Sequence, residues 1–174
     1  MAATKHTLVA LVDDKPGVLN RVSSLFRRRG FNIDSIAVGP SGTPNVSRMT
    51  IVVDGTTLSV EQVRKQLDKL IETIKVTDIT NENIVERELA LIKVKASNAT
   101  RSEIIQMVDI FRANIVDVSA ESLTIEVTGD QDKLDSLLNL LKPFGVKEVC
   151  RTGRIAMTRG VTTEFIKKAA DSDT

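Results

Sequence analysis

Tryptophan and tyrosine are absent from this 174-residue chain, and its only aromatic rings are five phenylalanines. A single-stranded nucleic-acid platform stacks bases on exposed rings, so that class of function is disfavoured. The net charge of +1 gives no bulk attraction to nucleic acid or to a lipid surface. One cysteine excludes an internal disulfide and fits a reducing compartment. One cysteine and one histidine are too few soft donors for a zinc-type site within a single chain. The N-terminus lacks an apolar signal core and no apolar run reaches membrane-spanning length, so the expected location is the cytoplasm, with no membrane partner. What is present, 41% hydrophobic and 27% charged residues, describes an ordinary globular protein of one domain or two small ones.

The stretch Val12-Asp13-Asp14-Lys15-Pro16-Gly17-Val18-Leu19 joins an apolar strand, Leu8 to Val12, to an amphipathic helix. A strand-to-helix turn leaves unpaired N–H groups at the positive end of the helix dipole, which suits an anion. Pro16 is expected in the first helical turn, and Gly17 removes a side chain where a ligand would approach. A plain helix start capped by Asp14 is the competing reading. The helix puts Val18, Val22, Leu25 and Phe26 on one stripe, and Arg27, Arg28 and Arg29 precede Gly30 at its end. The arginine run suits either a solvated helix end or a docked partner.

A second strand, Asn32 to Val38, leads through a Gly/Pro loop to a third, Val46 to Asp54. Ser59 and Gln62 read as a capping box, with Leu58 and Val63 as its hydrophobic staple. The helix they open presents Val63, Leu67, Leu70 and Ile71, and a strand from Ile74 to Ile79 closes the unit. After a polar linker, Asn81-Glu82-Asn83, the order repeats: strand Leu89 to Val94, a capping box at Thr100 and Glu103, strands Asn114 to Ser119 and Leu123 to Thr128, a helix bearing Leu134, Leu137, Leu138 and Leu141, and strand Val146 to Cys150.

The expected fold class is therefore α+β, with two tandem ferredoxin-like β-α-β-β-α-β units over residues 5–80 and 84–160 and a tail over 161–174. Thr50-Ile51-Val52-Val53-Asp54-Gly55 parallels Thr124-Ile125-Glu126-Val127-Thr128-Gly129, but the first turn of the second copy, Ser97-Asn98-Ala99-Thr100, has neither Gly nor Pro. If the first turn is a ligand site, the second copy is not expected to be one. Each sheet leaves one face open, and a second copy of the chain is the expected cover, hence a homodimer.

No Gly-rich phosphate loop and no nucleophile motif is present. His6 is expected at the surface, Cys150 in the core, and Arg151, Arg154 and Arg159 on a solvated basic edge. Nothing assembles an active site, so a binding or regulatory role is favoured over an enzyme.

With Asp13-Asp14-Lys15-Pro16-Gly17-Val18-Leu19 at its first turn, the β-α-β-β-α-β order resembles the ACT domain, an amino-acid-sensing regulatory module. The longer pattern is sharper: Arg29 to Val38, Ser47-Arg48-Met49-Thr50-Ile51, Val85 to Val94, Arg151-Thr152-Gly153 and Thr158-Arg159-Gly160. Together these are similar to the small regulatory subunits of acetohydroxyacid (acetolactate) synthase over roughly residues 5–160.

The resemblance implies a non-catalytic partner of a large catalytic subunit that makes 2-acetolactate in branched-chain amino-acid synthesis. Thiamine diphosphate, magnesium and FAD would belong to that large subunit, with no cofactor in this chain. The small subunit would activate the enzyme and confer feedback inhibition by valine. The effector carboxylate would sit on the N–H groups of Gly17, Val18 and Leu19, with Asn32 and Ile33 supplied by the other chain of a homodimer paired through its ACT sheets. Leu11, Val18, Ile33 and Ile36 would wall the aliphatic side chain. Asp14 stands where many relatives carry Asn, and would either pair with the effector ammonium or cap the helix and repel the carboxylate. Asn20 stands where a smaller residue is common. An ACT-type sensor controlling a different enzyme or a transcription factor is the alternative, and an RNA binder a third class.

Overall fold

The computed structural model describes residues 4–160, so the expected tail over 161–174 lies outside the described residues. Among the described residues, nine strands and four α-helices follow one another as β1 (Thr4–Asp13), α1 (Val18–Arg28), β2 (Ile33–Pro40), β3 (Val46–Gly55), α2 (Thr57–Leu67), β4 (Thr73–Asp78), β5 (Ile84–Lys95), α3 (Arg101–Ile110), β6 (Asn114–Val118), β7 (Ser122–Gly129), α4 (Gln131–Leu141), β8 (Val146–Arg151) and β9 (Ile155–Thr158). They form two β-α-β-β-α-β units. The first has an antiparallel sheet in the order β2-β3-β1-β4, the second in the order β6-β7-β5-β8.

In the first unit, alternation assigns each strand residue to a face. Leu8, Ala10 and Val12 of β1 and Met49, Ile51 and Val53 of β3 turn to the helices, and pack on Val18, Val22, Leu25 and Phe26 of α1 and Val60, Val63 and Leu67 of α2. Thr7, Val9 and Leu11 face the other way. That second face is not open: Val9 and Val52 are fully buried, and Val9 packs with Ile79, Ile84 and Ala156. The expected need for a second chain to cover it is therefore corrected, because the chain's own β9 lies there. The Arg48 guanidinium donates to Ala156 O (2.9 Å). Burial pulls its pKa below the ordinary arginine value.

Contacts group Glu86–Gly153 as the second unit and return the described residues from Arg154 onward to the first. Arg154 donates to Thr7 Oγ1 (3.4 Å), and Arg159 to Ile84 O (3.1 Å) through its side chain and Asn83 O (2.7 Å) through its backbone. These two, with Arg151, were expected on a solvated edge; Arg151 and Arg159 are exposed and Arg154 half-buried, and each also has a partner.

The second unit repeats the packing, with Ala90, Ile92 and Val94 of β5 against Ile104 and Val108 of α3 and Leu134, Leu137 and Leu141 of α4. Arg151 on β8 holds Glu88 on β5 through two bonds (2.7 and 2.8 Å) and Asp135 on α4 through a third (2.8 Å). Cys150 is exposed rather than in the core, because its register opposite Leu91 puts it on the face turned away from the helices.

Two caps differ from expectation. Helix α2 is capped by Thr56, whose side chain accepts from Ser59 N while Ser59 Oγ accepts from Thr56 N, so Ser59 is the third helical residue and not the cap. Leu58 is then no staple and stands 79% exposed. Helix α3 has Thr100 at its start with no side-chain cap; the Thr100 hydroxyl accepts from Ser97 N (3.1 Å) instead.

Candidate functional site

The chain leaves β1 at Asp13 and enters α1 at Val18 through a four-residue turn, Lys15-Pro16-Gly17-Val18. Val18 N donates to Lys15 O (3.4 Å), and Gly17 adopts φ 88° and ψ −11°. Those angles belong to the third residue of a type II turn, where a side chain is strained, and proline suits the second. Pro16 thus precedes the helix rather than opening its first turn. Gly17 is the N-cap, without a side-chain bond, so Asp14 does not cap α1. A Cβ at Gly17 would meet nothing within 4 Å, so the backbone angle and not crowding within the chain requires glycine.

The turn is braced from two sides. Asp14 N donates to Asn45 O (2.8 Å) in the loop between β2 and β3. Asp13 N donates to Glu72 O (2.8 Å) just before β4, and the Glu72 carboxylate holds Arg21 of α1 (2.7 Å). The Lys15 ammonium lies on Asp13 (2.7 Å), and this bond raises its pKa above the ordinary lysine value.

What remains is a donor set. The first helical bond runs from Arg21 N to Gly17 O (3.0 Å), so the N–H groups of Leu19 and Asn20 precede the ladder. Neither these nor Gly17 N has an acceptor among the described residues. Val18 N is committed to Lys15 O. The cradle is therefore Gly17, Leu19 and Asn20, one residue further into α1 than the sequence places it; counting from the true N-cap at Gly17 supplies the shift. Convergent N–H groups at the positive helix end favour a carboxylate, and α1 has no acidic residue in its first turn to compete.

The other candidate residues divide. Val18 is buried in the helix-side core, where Ile33 and Ile36 pack half-buried. Leu11 pairs with Arg48 and Lys75 on the opposite face of the sheet, so within one chain it shares no wall with Val18, Ile33 and Ile36. Asp14, Leu19 and Asn32 are exposed. Asn32 lies at the far end of the sheet: Ile33 stands level with Val53 and His6, whereas Pro40 stands level with Ser47 and Val12 beside the turn.

His6 was expected at the surface. It is 3% exposed, with Nδ1 3.4 Å from Asp78 Oδ2 and no partner for Nε2 among the described residues. Asp78 in turn accepts from Thr80 N (2.9 Å) and from the Thr80 hydroxyl. The equivalent corner of the second unit is closed differently. The hydroxyl of Thr100 meets Ser97, Arg101 donates to Ser119 O (2.8 Å) and Ala120 O (3.0 Å), and no residue of the turn over 96–101 has positive φ. Among the described residues no helix is long and apolar enough to cross a membrane.

Comparison with known proteins matches two families in tandem. Residues 8–75 match the AHAS small subunit-like ACT domain, and residues 87–160 match the small subunit of acetolactate synthase. A protein of Archaeoglobus fulgidus named probable acetolactate synthase small subunit is 58% identical over 156 residues, covering 90% of this chain and 98% of that one. The acetolactate synthase small subunit of Mycobacterium bovis is 52% identical over 160 residues, covering 92% and 95%. The crystal structure of the acetolactate synthase small subunit from Thermotoga maritima superposes with a TM-score of 0.84 at 48% identity, covering 91% of this chain and 99% of that one.

Proposed function

The chain belongs to the acetolactate synthase small-subunit family, and from that premise we propose that it activates a large catalytic subunit in the cytoplasm and transmits feedback inhibition by valine. The chemistry of thiamine diphosphate, magnesium and FAD resides on the large subunit, and this chain carries the effector. The observation that supports an amino-acid effector is the turn itself. Gly17 at φ 88° opens α1 with N–H groups at Gly17, Leu19 and Asn20 that have no acceptor among the described residues, a cradle for a carboxylate.

The functional unit of this reading is a homodimer. Strand β2 lies at an edge of its sheet, with Val38 exposed on it. Since β1 and β2 both run antiparallel to β3, they are parallel to each other. Antiparallel pairing of β2 with the β2 of a second copy sets the start of one strand beside the end of the other. Asn32 and Ile33 of the second copy then arrive at the end of the sheet where the Gly17 turn lies. A valine held between two chains links its concentration to the geometry of their interface.

Reconstitution with an acetolactate synthase large subunit tests this. Turnover rises on adding the chain and falls again with valine, with leucine and isoleucine as parallel arms. No association and no change in turnover would remove the regulatory-subunit role. Activation without any response to the three amino acids would remove the effector.

A further inference from the structure

We infer that Glu72 is a positioning residue for the β1–α1 turn, clasping both ends of the donor cradle; the inference rests on the reading of that cradle as the effector carboxylate site. Glu72 makes two bonds to two different elements. Its carbonyl oxygen accepts from Asp13 N (2.8 Å), where β1 ends, and its carboxylate accepts from the Arg21 guanidinium (2.7 Å), one turn into α1. Residues 14–20, with every N–H group of the cradle, lie between those two anchors. Glu72 itself is fixed from behind, since Thr73 pairs with Val12 in the sheet and Thr73 N donates to Leu70 O (2.9 Å).

The apolar contacts of α1 do not supply this constraint. Val18, Val22, Leu25 and Phe26 hold the helix on the sheet, but hydrophobic burial is non-directional and tolerates a slide along the axis. A charged hydrogen bond is directional, and it sets how far the first turn of α1 projects.

Stability alone does not explain the arrangement. A cation in the second turn, close to the positive helix end, opposes the dipole. The Glu72 side chain is 14% exposed, and its Oε2 is buried with no partner among the described residues, an unfavourable state for a carboxylate oxygen. The pair keeps both features and aims the donors of Leu19 and Asn20.

The test uses the full-length chain with valine in calorimetric titration, and the thermal midpoint of each unliganded variant alongside. Glu72→Ala weakens valine binding by about tenfold or more, the effect of losing one charged hydrogen bond. Glu72→Gln, whose amide oxygen still accepts from Arg21, recovers most of that loss. The exchanged pair Arg21→Glu with Glu72→Arg recovers binding as well, which a merely structural cost at either residue does not predict. Wild-type affinity in Glu72→Ala overturns the inference, as does an equal loss in the Ala and Gln variants. Should the wild-type chain give no heat with valine, leucine or isoleucine, the effector reading itself fails and the positioning role falls with it.

Discussion

Gly17 and Asn32 lie at opposite ends of one sheet, a separation of roughly 20 Å at about 3.3 Å per residue along β2. One chain cannot bring both to one small ligand, whereas a two-fold pair can. Complementation follows. In the proposed valine-binding homodimer, Gly17→Asp and Asn32→Ala are each expected to abolish binding alone, because each spoils both sites. Unfolded and refolded together, they form mixed dimers with one site built wholly from unaltered residues. With random pairing that restores about a quarter of the wild-type capacity. Calorimetric stoichiometry of the mixture measures it, and capacity that stays at zero would show that the two residues do not share a ligand.

Gly17 also answers to the fold alone. Its φ of 88° costs an L residue about 1 kcal/mol, although a Cβ has open space there. Gly17→Ala is therefore expected to lose about that amount in urea denaturation while keeping its far-ultraviolet circular dichroism. Gly30→Ala, also at positive φ with open space but at the other end of α1, loses a similar amount and leaves valine binding intact. If valine is the effector, as proposed, then at about 100 times its dissociation constant it is expected to add about 2.7 kcal/mol to the wild type. Gly17→Asp receives none of it, since a carboxylate then occupies the cradle.

The eight strands expected from the sequence are all present; Ser122–Gly129 is legible because it has one dry face and a period of two, whereas Val46–Gly55 is buried on both faces and is carried by its apolar, β-branched run. The faces were less legible. Leu8-Val9-Ala10-Leu11-Val12 is apolar throughout, so nothing local shows that Leu11 turns away from α1; only its register opposite Arg48 does. β9 escaped because a four-residue strand is held by distant partners, Arg48 and Val9 among them. His6 is buried by a contact with Asp78, far along the chain, and Cys150 is exposed by the parity of β8. The turn itself was readable from Pro16-Gly17, yet its true cap was not, since Asp14 looks like a better one until the φ of Gly17 is known.

Acid weakens α2 in a defined way. Glu61 takes two bonds from Arg64 (both 2.8 Å), with Lys65 at 3.6 Å, and chiefly the Arg64 bond lowers its pKa to about 2 from an ordinary value of 4.5. A carboxyl group depressed by folding stabilises the native state above its unfolded pKa and loses that contribution as pH falls through the folded value. The Arg64 and Glu61 side chains are 25% and 41% exposed, so solvent screening limits the pair to about 0.5 kcal/mol. Glu61→Gln is accordingly less stable than wild type by that amount at pH 7. The difference narrows from about pH 4.5 downward and vanishes near pH 2, as urea midpoints at stepped pH would register. A difference independent of pH would assign the effect to helix propensity instead.

In the second unit, Arg151 draws β8, β5 and α4 together through Glu88 and Asp135. The Glu88 bond is the largest influence holding its guanidinium above the ordinary arginine pKa. The two acids are not equivalent. The Glu88 side chain is 10% exposed and that of Asp135 41%, so removing Arg151 strands one nearly buried carboxylate and one solvated one. Arg151→Ala should therefore lose about 2 kcal/mol, mostly from the unpaired Glu88, and Asp135→Ala less than about 1 kcal/mol. Arg151→Lys retains the charge but not the two-pronged geometry, and falls between. A double-mutant cycle between Arg151→Ala and Glu88→Gln isolates the coupling. If Glu88→Gln recovers none of the stability lost in Arg151→Ala, the stranded carboxylate is not the cause, and the loss belongs to the packing of the arginine stem on β5 and β8.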